Sequence, residues 1–392
     1  MPQPADSFIH PEPDADERAH SARVQEAIAQ AIDSARGFLP FDRYMQIALY
    51  APGLGYYAAG ARKFGEHGDF VTAPEITPMF AKCIGLQAGQ ILQRVGGDVL
   101  ELGPGSGVMA ADLYASLKEQ GVLPNRYLLL EVSPDLRERQ RDLLEKRFGI
   151  HEMARFVWID RLPEKIRGIV IANEVLDVVP CSLVHRERGG EFLERGVILT
   201  EAGFALEDQR LPDGELKRRA QAVFPPGDYD YLSEINLAAE GLVRTIASSL
   251  EAGLALFIDY GFPEREYYHP QRSAGTLRCH YRHRVHGDPF FMPGLQDITA
   301  HIDFTAMGRA AESGGAELLG FTTQAYFLIS CGLGVLVAGG DPTATLSKLK
   351  GTSTVYRLIN PSDMGELFKV LGLGKGIDGP VLGFQSARHL TL

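Results

Sequence analysis

The spacing of apolar side chains divides this chain into blocks of different period. In ARVQEAIAQAIDSA apolar groups recur at roughly helical spacing, which predicts helices over residues 21–50. The next segment, APGLGYYAAGARKFGEHGDFVTAPEITPMF, is dense in glycine, proline and aromatic residues. It is too aromatic for a flexible linker and reads as an ordered loop. Ile76–Arg94 is helical in pattern again. From Asp98 the period changes. DVLELG is a short apolar strand entering a glycine turn, Ala110–Glu119 a helix, RYLLLEV a strand and Pro134–Phe148 a charged amphipathic helix. RFVWID and GIVIANEV follow as a third and a fourth strand. Strands alternating with helices predict an α/β domain, a Rossmann-like parallel sheet with helices on both faces.

The alternation then breaks. Residues 182–232 mix strand-like runs (SLVHRE, FLERGVIL) with glycine, proline and charge, which predicts an inserted antiparallel hairpin. A helix around Ile235–Leu250 and a fifth strand, GLALFIDYG, restore the rhythm. A long aromatic, histidine- and arginine-rich loop is expected over 262–304. A strand near Ala316–Thr323, a helix, and the runs FKVLGL and VLGFQSA are expected to complete the sheet. The resulting division is a mobile tail (1–20), a helical N-terminal extension with an ordered Gly/Pro loop (21–95), the first part of the core (96–181), an inserted subdomain (182–232) and the remainder of the core (233–392).

Composition narrows this picture little, and charge rather more. Hydrophobic residues at 45% and charged residues at 23% of 392 exclude wholesale disorder, collagen and a simple coiled coil. Lys and Arg total 39 against 50 Asp and Glu, a formal charge of −11, which disfavours non-specific binding to nucleic acid or anionic membranes. No nucleic-acid partner is expected. The longest apolar stretch, Ala325–Ala338, is shorter than the ~20 residues of a spanning helix and holds two glycines, so a buried helix beside the sheet is expected and no membrane span. The four cysteines form no CxxC pair, and a reducing compartment follows. The acidic, proline-containing start has neither a signal nor a transit pattern, and a cytoplasmic location is expected.

The strongest local signal is Glu101-Leu102-Gly103-Pro104-Gly105-Ser106-Gly107, between a predicted strand and a predicted helix. Glycines allow a tight turn and close backbone approach, and the helix start offers free N–H groups. A dinucleotide turn would need glycine at 108, where valine stands. Here an acid sits two residues before the first glycine. It would repel a pyrophosphate and accommodate a cation. S-Adenosyl-L-methionine, with its ammonium and sulfonium charges, suits it. Glu131, at the tip of the next strand, can accept ribose hydroxyls. The alternative is a tight strand–helix turn with a surface Glu131.

With these residues the chain resembles the class I S-adenosyl-L-methionine-dependent methyltransferases, and more closely the MidA-like family, which includes the mitochondrial complex I assembly methyltransferase. The resemblance rests on Tyr50–Tyr57 (YAPGLGYY), Gly68–Ile76 (GDFVTAPEI), Glu101–Gly107, Ala172–Asp177 (ANEVLD), Asp259-Tyr260-Gly261 and Gln296–Phe304 (QDITAHIDF). Ala73 stands where serine is common, and Val175-Leu176 where aromatic residues are common. The resemblance implies a class I methyltransferase sheet, S-adenosyl-L-methionine as cofactor with S-adenosyl-L-homocysteine as product, and a bacterial relative that methylates a protein arginine. By analogy the target is a respiratory complex I subunit. Family members can dimerise, but no feature of this sequence demands it. A methyltransferase on RNA or a small metabolite, and a cofactor-binding assembly factor without catalysis, are the alternatives.

An arginine acceptor directs attention to carboxylates. Its guanidinium is protonated at neutral pH and its lone pair is delocalised, so acids that pair with the other nitrogens can orient it and localise charge. Glu174 and Asp177, beyond the fourth strand, are the candidates to grip it, with Asn173 orienting the cofactor or substrate; alternatively they form a helix N-terminal cluster. Thr72 and Glu75 are candidate cofactor contacts and Asp69 a substrate contact on a loop that could fold over the site, or Asp69 and Thr72 cap a helix. Asp160, after the third strand, could face the adenine, and Trp158 is more readily core. Tyr260 could line the acceptor channel. His301, paired with Asp303, could orient a base or touch substrate, or be a structural histidine. His280, His283 and His286 match no standard metal spacing, and no metal is expected. Arg278–Arg284 could bind an acidic partner face or a phosphate, but reads better as a solvated surface loop.

Overall fold

The computed structural model describes residues 12–59, 72–339, 353–385 and 390–392. Asp69, a candidate substrate contact, lies outside these residues.

The core is an eight-stranded sheet, with the short strand Ile302–Asp303 beside the end of one of seven main strands: β1 (Asp98–Leu102), β2 (Tyr127–Leu130), β3 (Phe156–Ile159), β4 (Ile166–Asn173), β5 (Leu250–Phe262), β6 (Glu317–Thr323) and β7 (Phe368–Lys375). Their order is β6-β7-β5-β4-β1-β2-β3. β3, β2, β1, β4 and β5 run parallel, and β7 lies antiparallel to both β5 and β6. This is a class I methyltransferase-like sheet. Both faces are covered. Ile169 and Ile171 of β4 face helices Pro78–Val95 and Val108–Glu119, while Val170 and Ala172 face helices Leu237–Ser249 and Phe304–Ser313. Burial on both sides is why GIVIA is a continuous apolar run rather than an alternating one.

The switch in strand order lies between β1 and β4, whose carboxyl ends therefore open a crevice. Register decides what meets there. Leu102 pairs with Ala172 and Asn173 with Ile258, so the turns after β1, β4 and β5 sit side by side. At the end of β5, Gly261 pairs with Ile302, which brings the 297–303 segment to the same edge.

The inserted region is larger than a hairpin. Ser182–Arg186, Phe192–Thr200, Gly203–Arg210 and Tyr231–Ile235 form an antiparallel sheet joined by Leu39–Pro40. Helices Ala15–Ser34 and Phe41–Tyr50 pack on it through Val24, Ile28, Tyr44, Met45, Leu183 and Val197. Three expectations are corrected. The first helix begins at Ala15, inside the expected tail, because Asp14 and Glu17 close a capping box. The 262–304 loop holds a small sheet of Arg278–Tyr281, Arg284–His286 and Asp297–Thr299. The described part of VLGFQSA, residues 381–385, does not extend the sheet: it turns at Leu382–Phe384, and the Phe384 ring occupies the space that Gly320 and Gly372 leave open. The apolar stretch after Gln324 forms two short helices broken at Gly332, and no described helix is long and apolar enough to cross a membrane.

Candidate functional site: two cavities sharing a wall

A first cavity opens where β1, β2 and β4 end. The glycine turn lines it with Glu101, Gly103, Gly105 and Ser106, joined by Glu131, Asn173 and Glu174 and, from the N-terminal extension, Tyr50, Tyr57, Thr72 and Glu75. Gly103, Gly105 and Gly107 all have positive φ (+59°, +55° and +84°), the left-handed region in which side chains are disfavoured. A Cβ at Gly107 would lie 3.0 Å from Gln140. Gly107 thus serves the packing of the turn and does not line the cavity.

Glu101 is fully buried. Its Oε2 accepts from the Tyr127 hydroxyl, and its Oε1 has no partner among the described residues. Burial pushes this carboxyl up to about 7, and the nearby Glu131 adds to the effect against the Tyr127 bond. An unpartnered carboxylate oxygen in a cavity wall is a site for a cation. Glu131 is held by the Ser133 N–H (2.9 Å) and the Gln140 amide (3.1 Å). Gln140 also donates to the Gly105 carbonyl (2.7 Å) and accepts from Trp158 Nε1 (2.8 Å). It therefore ties the glycine turn, the β2 tip and β3 together, and Trp158 acts through it. Glu75 accepts from Ser106, which fastens the 72–76 segment to the turn. Asn173 donates to Glu174 (3.1 Å), and its Oδ1 is buried without a partner among the described residues.

A second cavity adjoins the first. Tyr57, Glu174 and Val178 line both, and the rest of the second wall is Asp177, Tyr260, Arg278, His280, Asp297, Thr299, Ala300 and His301. Glu174, Asp177 and Asp297 make it acidic. Asp297 accepts from the Tyr57 hydroxyl (2.9 Å). Tyr57 stacks on Tyr50, whose hydroxyl donates to the Val178 carbonyl (3.0 Å). Burial, with Asp259 and Asp297 close by, pushes Glu174 up to about 8. Burial and the same acids, with Glu174, push Asp177 well above the usual carboxylate range. Such a group of acids holds protons until a cation displaces them. His301 lines this cavity with its ring against Tyr260 and Phe262. Burial, then Arg272, Arg278 and Lys369, lower it to about 4, so it is neutral at pH 7.

Besides Gly107, two candidates fall elsewhere. Asp160 is exposed and paired with Arg137 (2.6 Å), which clamps the Glu131 and Ile159 carbonyls; it lines neither cavity. Asp303 caps helix Phe304–Ser313, accepting from the Thr305 and Ala306 N–H groups, and faces a separate small cavity. Tyr57 and Asp297 were not among the sequence candidates, and Arg278 and His280 were weighed there only as part of a surface loop and as a metal ligand. The aromatic density of YAPGLGYY and the acid in QDITAH were the available signals.

Comparison with known proteins fits this geometry. Residues 83–322 match the profile of a family described as "Putative S-adenosyl-L-methionine-dependent methyltransferase". A superfamily member and candidate methyl transferase from Burkholderia thailandensis, solved bound to S-adenosyl-homocysteine, is 43% identical. It superposes with a TM-score of 0.90 over 96% of this chain and 98% of that one. The mitochondrial protein arginine methyltransferase NDUFAF7 of mouse is 29% identical over 84% of this chain and 79% of its own length. Its homologue in Drosophila melanogaster is 27% identical over 94% and 90%.

Proposed function

We propose, from the premise that this chain belongs to that S-adenosyl-L-methionine-dependent methyltransferase family, that it methylates an arginine side chain of a protein. The cofactor supplies a methyl group activated by its sulfonium. The residues of the first cavity fit it. The unpartnered Glu101 oxygen suits the ammonium, the glycine turn admits close backbone approach, and Glu131 stands at the β2 tip where ribose hydroxyls are held. Thr72, Glu75 and Asn173 complete that wall.

The observation that carries the arginine reading is the acidic second cavity, separated from the first only by Tyr57, Glu174 and Val178. A planar cation with several N–H donors matches carboxylates set around it. Once bound, it draws Glu174 and Asp177 into their ionised forms. Those acids orient the guanidinium, localise its charge and offer a base for the proton that the methylated nitrogen gives up. An acid whose surroundings favour protonation is a better base than an ordinary carboxylate. Tyr260 and the neutral His301 form the apolar side of the channel, and Asp303 acts only by capping the helix that follows. The formal charge of −11 weighs against an RNA substrate. The protein arginine methyltransferase names of the relatives support this reading, and a respiratory complex I subunit is the target that the family resemblance implies. Four buried free thiols and the bacterial solved relatives support a cytoplasmic setting.

Incubation with methyl-labelled cofactor and an extract of cells lacking the protein tests it. Label should enter a protein band, resist ribonuclease and appear as methylarginine after hydrolysis. Label in RNA or in a small molecule would contradict the proposal.

A pH dependence follows from Glu101. Only its ionised form attracts the ammonium, and its carboxyl titrates at about 7 before the cofactor arrives. Affinity should therefore rise, with proton release, as pH increases from about 5.5 to 7.5, below the range in which an α-amino group itself loses charge. Calorimetry in buffers of different ionisation enthalpy measures this. Glu101→Gln should flatten the profile and weaken binding.

A further inference from the structure

We infer that Asp259 is a positioning residue for methyl transfer: it holds the 174–177 turn in the one conformation that presents Glu174 to both cavities. The inference rests on reading the second cavity as the acceptor pocket. Asp259 lines neither cavity and is 1% exposed. Its Oδ2 lies 3.2, 2.9 and 3.3 Å from the backbone nitrogens of Val175, Leu176 and Asp177, and its Oδ1 accepts from the Tyr260 N–H at 2.8 Å. Three successive N–H groups converging on one oxygen form a concavity that an anion fills.

The turn needs such a clamp. Glu174 has φ +53°, a left-handed conformation for a residue with a long side chain, and this persists only where the surroundings over-determine it. The Glu174 N–H bonds the Ile258 carbonyl at 2.9 Å, which fixes the start of the turn on β5. Asp259 is the next residue along β5, and its carboxylate fixes the remainder. Among the described residues no lysine pairs with it. Lys369 is its register partner on β7, but the Lys369 ammonium donates to the Glu366 and Leu367 carbonyls. Burial pushes the Asp259 carboxyl up to about 7 and the Tyr260, Leu176, Asp177 and Val175 N–H groups pull against it, so the turn itself favours the carboxylate and the direction of Glu174 depends on it.

The test combines an amide measurement on the unmodified protein with a mutant cycle. Hydrogen exchange should show the amides of Val175, Leu176 and Asp177 strongly protected although they lie in a turn, and free exchange there would overturn the inference. In the labelled-extract assay, Asp259→Asn should lower the initial rate ~50-fold while S-adenosyl-homocysteine affinity stays within ~3-fold, since asparagine keeps one neutral acceptor oxygen and must turn its NH2 toward either the 175–177 amides or the Tyr260 N–H. In a Glu174→Gln background the same change should cost less than ~3-fold more, because Asp259 acts through Glu174. Equal losses in both backgrounds, or a single variant with the full rate, would overturn the inference. Should Asp259→Asn fail to fold, the amide protection decides. If the unmodified enzyme labels no arginine, the acceptor reading fails by itself, and the same amides still report on the clamp.

Discussion

Gly103→Val abolishes binding of S-adenosyl-L-methionine and S-adenosyl-homocysteine, with affinity falling by at least ~100-fold. Two effects combine. Gly103 sits at φ +59°, where a β-branched residue is a strong outlier, at a cost of roughly 1–3 kcal/mol. A Cβ there already comes within 3.1 Å of Val175 Cγ2, so the valine methyls must turn into the cavity or push the 174–177 turn away. Either movement removes ligand space or displaces Glu174. Gly121→Val is the control: Gly121 has φ +71°, and a Cβ there would meet nothing within 4 Å, so it carries the backbone cost alone. Calorimetry should find a cofactor affinity near that of the unmodified protein for Gly121→Val and none for Gly103→Val. A folded Gly103→Val protein with unchanged affinity would contradict the assignment of the first cavity.

Glu174→Gln separates the two cavities. The glutamine keeps the size of the side chain and loses its charge, so cofactor affinity should stay within ~3-fold while transfer to protein falls ~100-fold, the scale of about 2.7 kcal/mol for a lost charge-assisted bond made to the reacting group. Asp177→Asn should act in the same direction. Asp177 lies 5% exposed with an oxygen that has no partner among the described residues, and it lines only the second cavity. Its loss should therefore raise KM for the protein acceptor and leave the cofactor untouched. Transfer at the normal rate by Glu174→Gln, with cofactor bound normally, would favour an acceptor site elsewhere or an assembly role without catalysis.

The first cavity was readable from sequence because its wall is largely local. Glu101 to Gly107 is one strand–turn–helix passage, and Glu131 ends the strand that follows it. Helix Pro134–Phe148 agrees with its expected bounds, since its Ser133 cap and its periodicity both lie in the same short stretch. The second cavity was not, because it is assembled across the chain. Tyr57 and Asp297 are 240 residues apart and meet only when the N-terminal extension packs on the small 278–299 sheet. The strands of that sheet are three or four residues long and alternate polar with apolar positions too briefly to stand out from a loop. Asp259 was visible as an acid at a strand end, but its role depends on β4–β5 register. Asp160 and Asp303 misled for a related reason. An acid after a strand or before a helix is equally suited to an ion pair or a cap, and those are the roles they take.

The most direct test is a structure of this protein bound to S-adenosyl-homocysteine. The ligand amino group should lie at Glu101, its ribose at Glu131 and its sulfur at the boundary formed by Tyr57, Glu174 and Val178, facing the acidic cavity. A sulfur turned away from that boundary, or a ligand lodged outside the crevice at the ends of β1 and β2, would contradict the division of the site into donor and acceptor cavities.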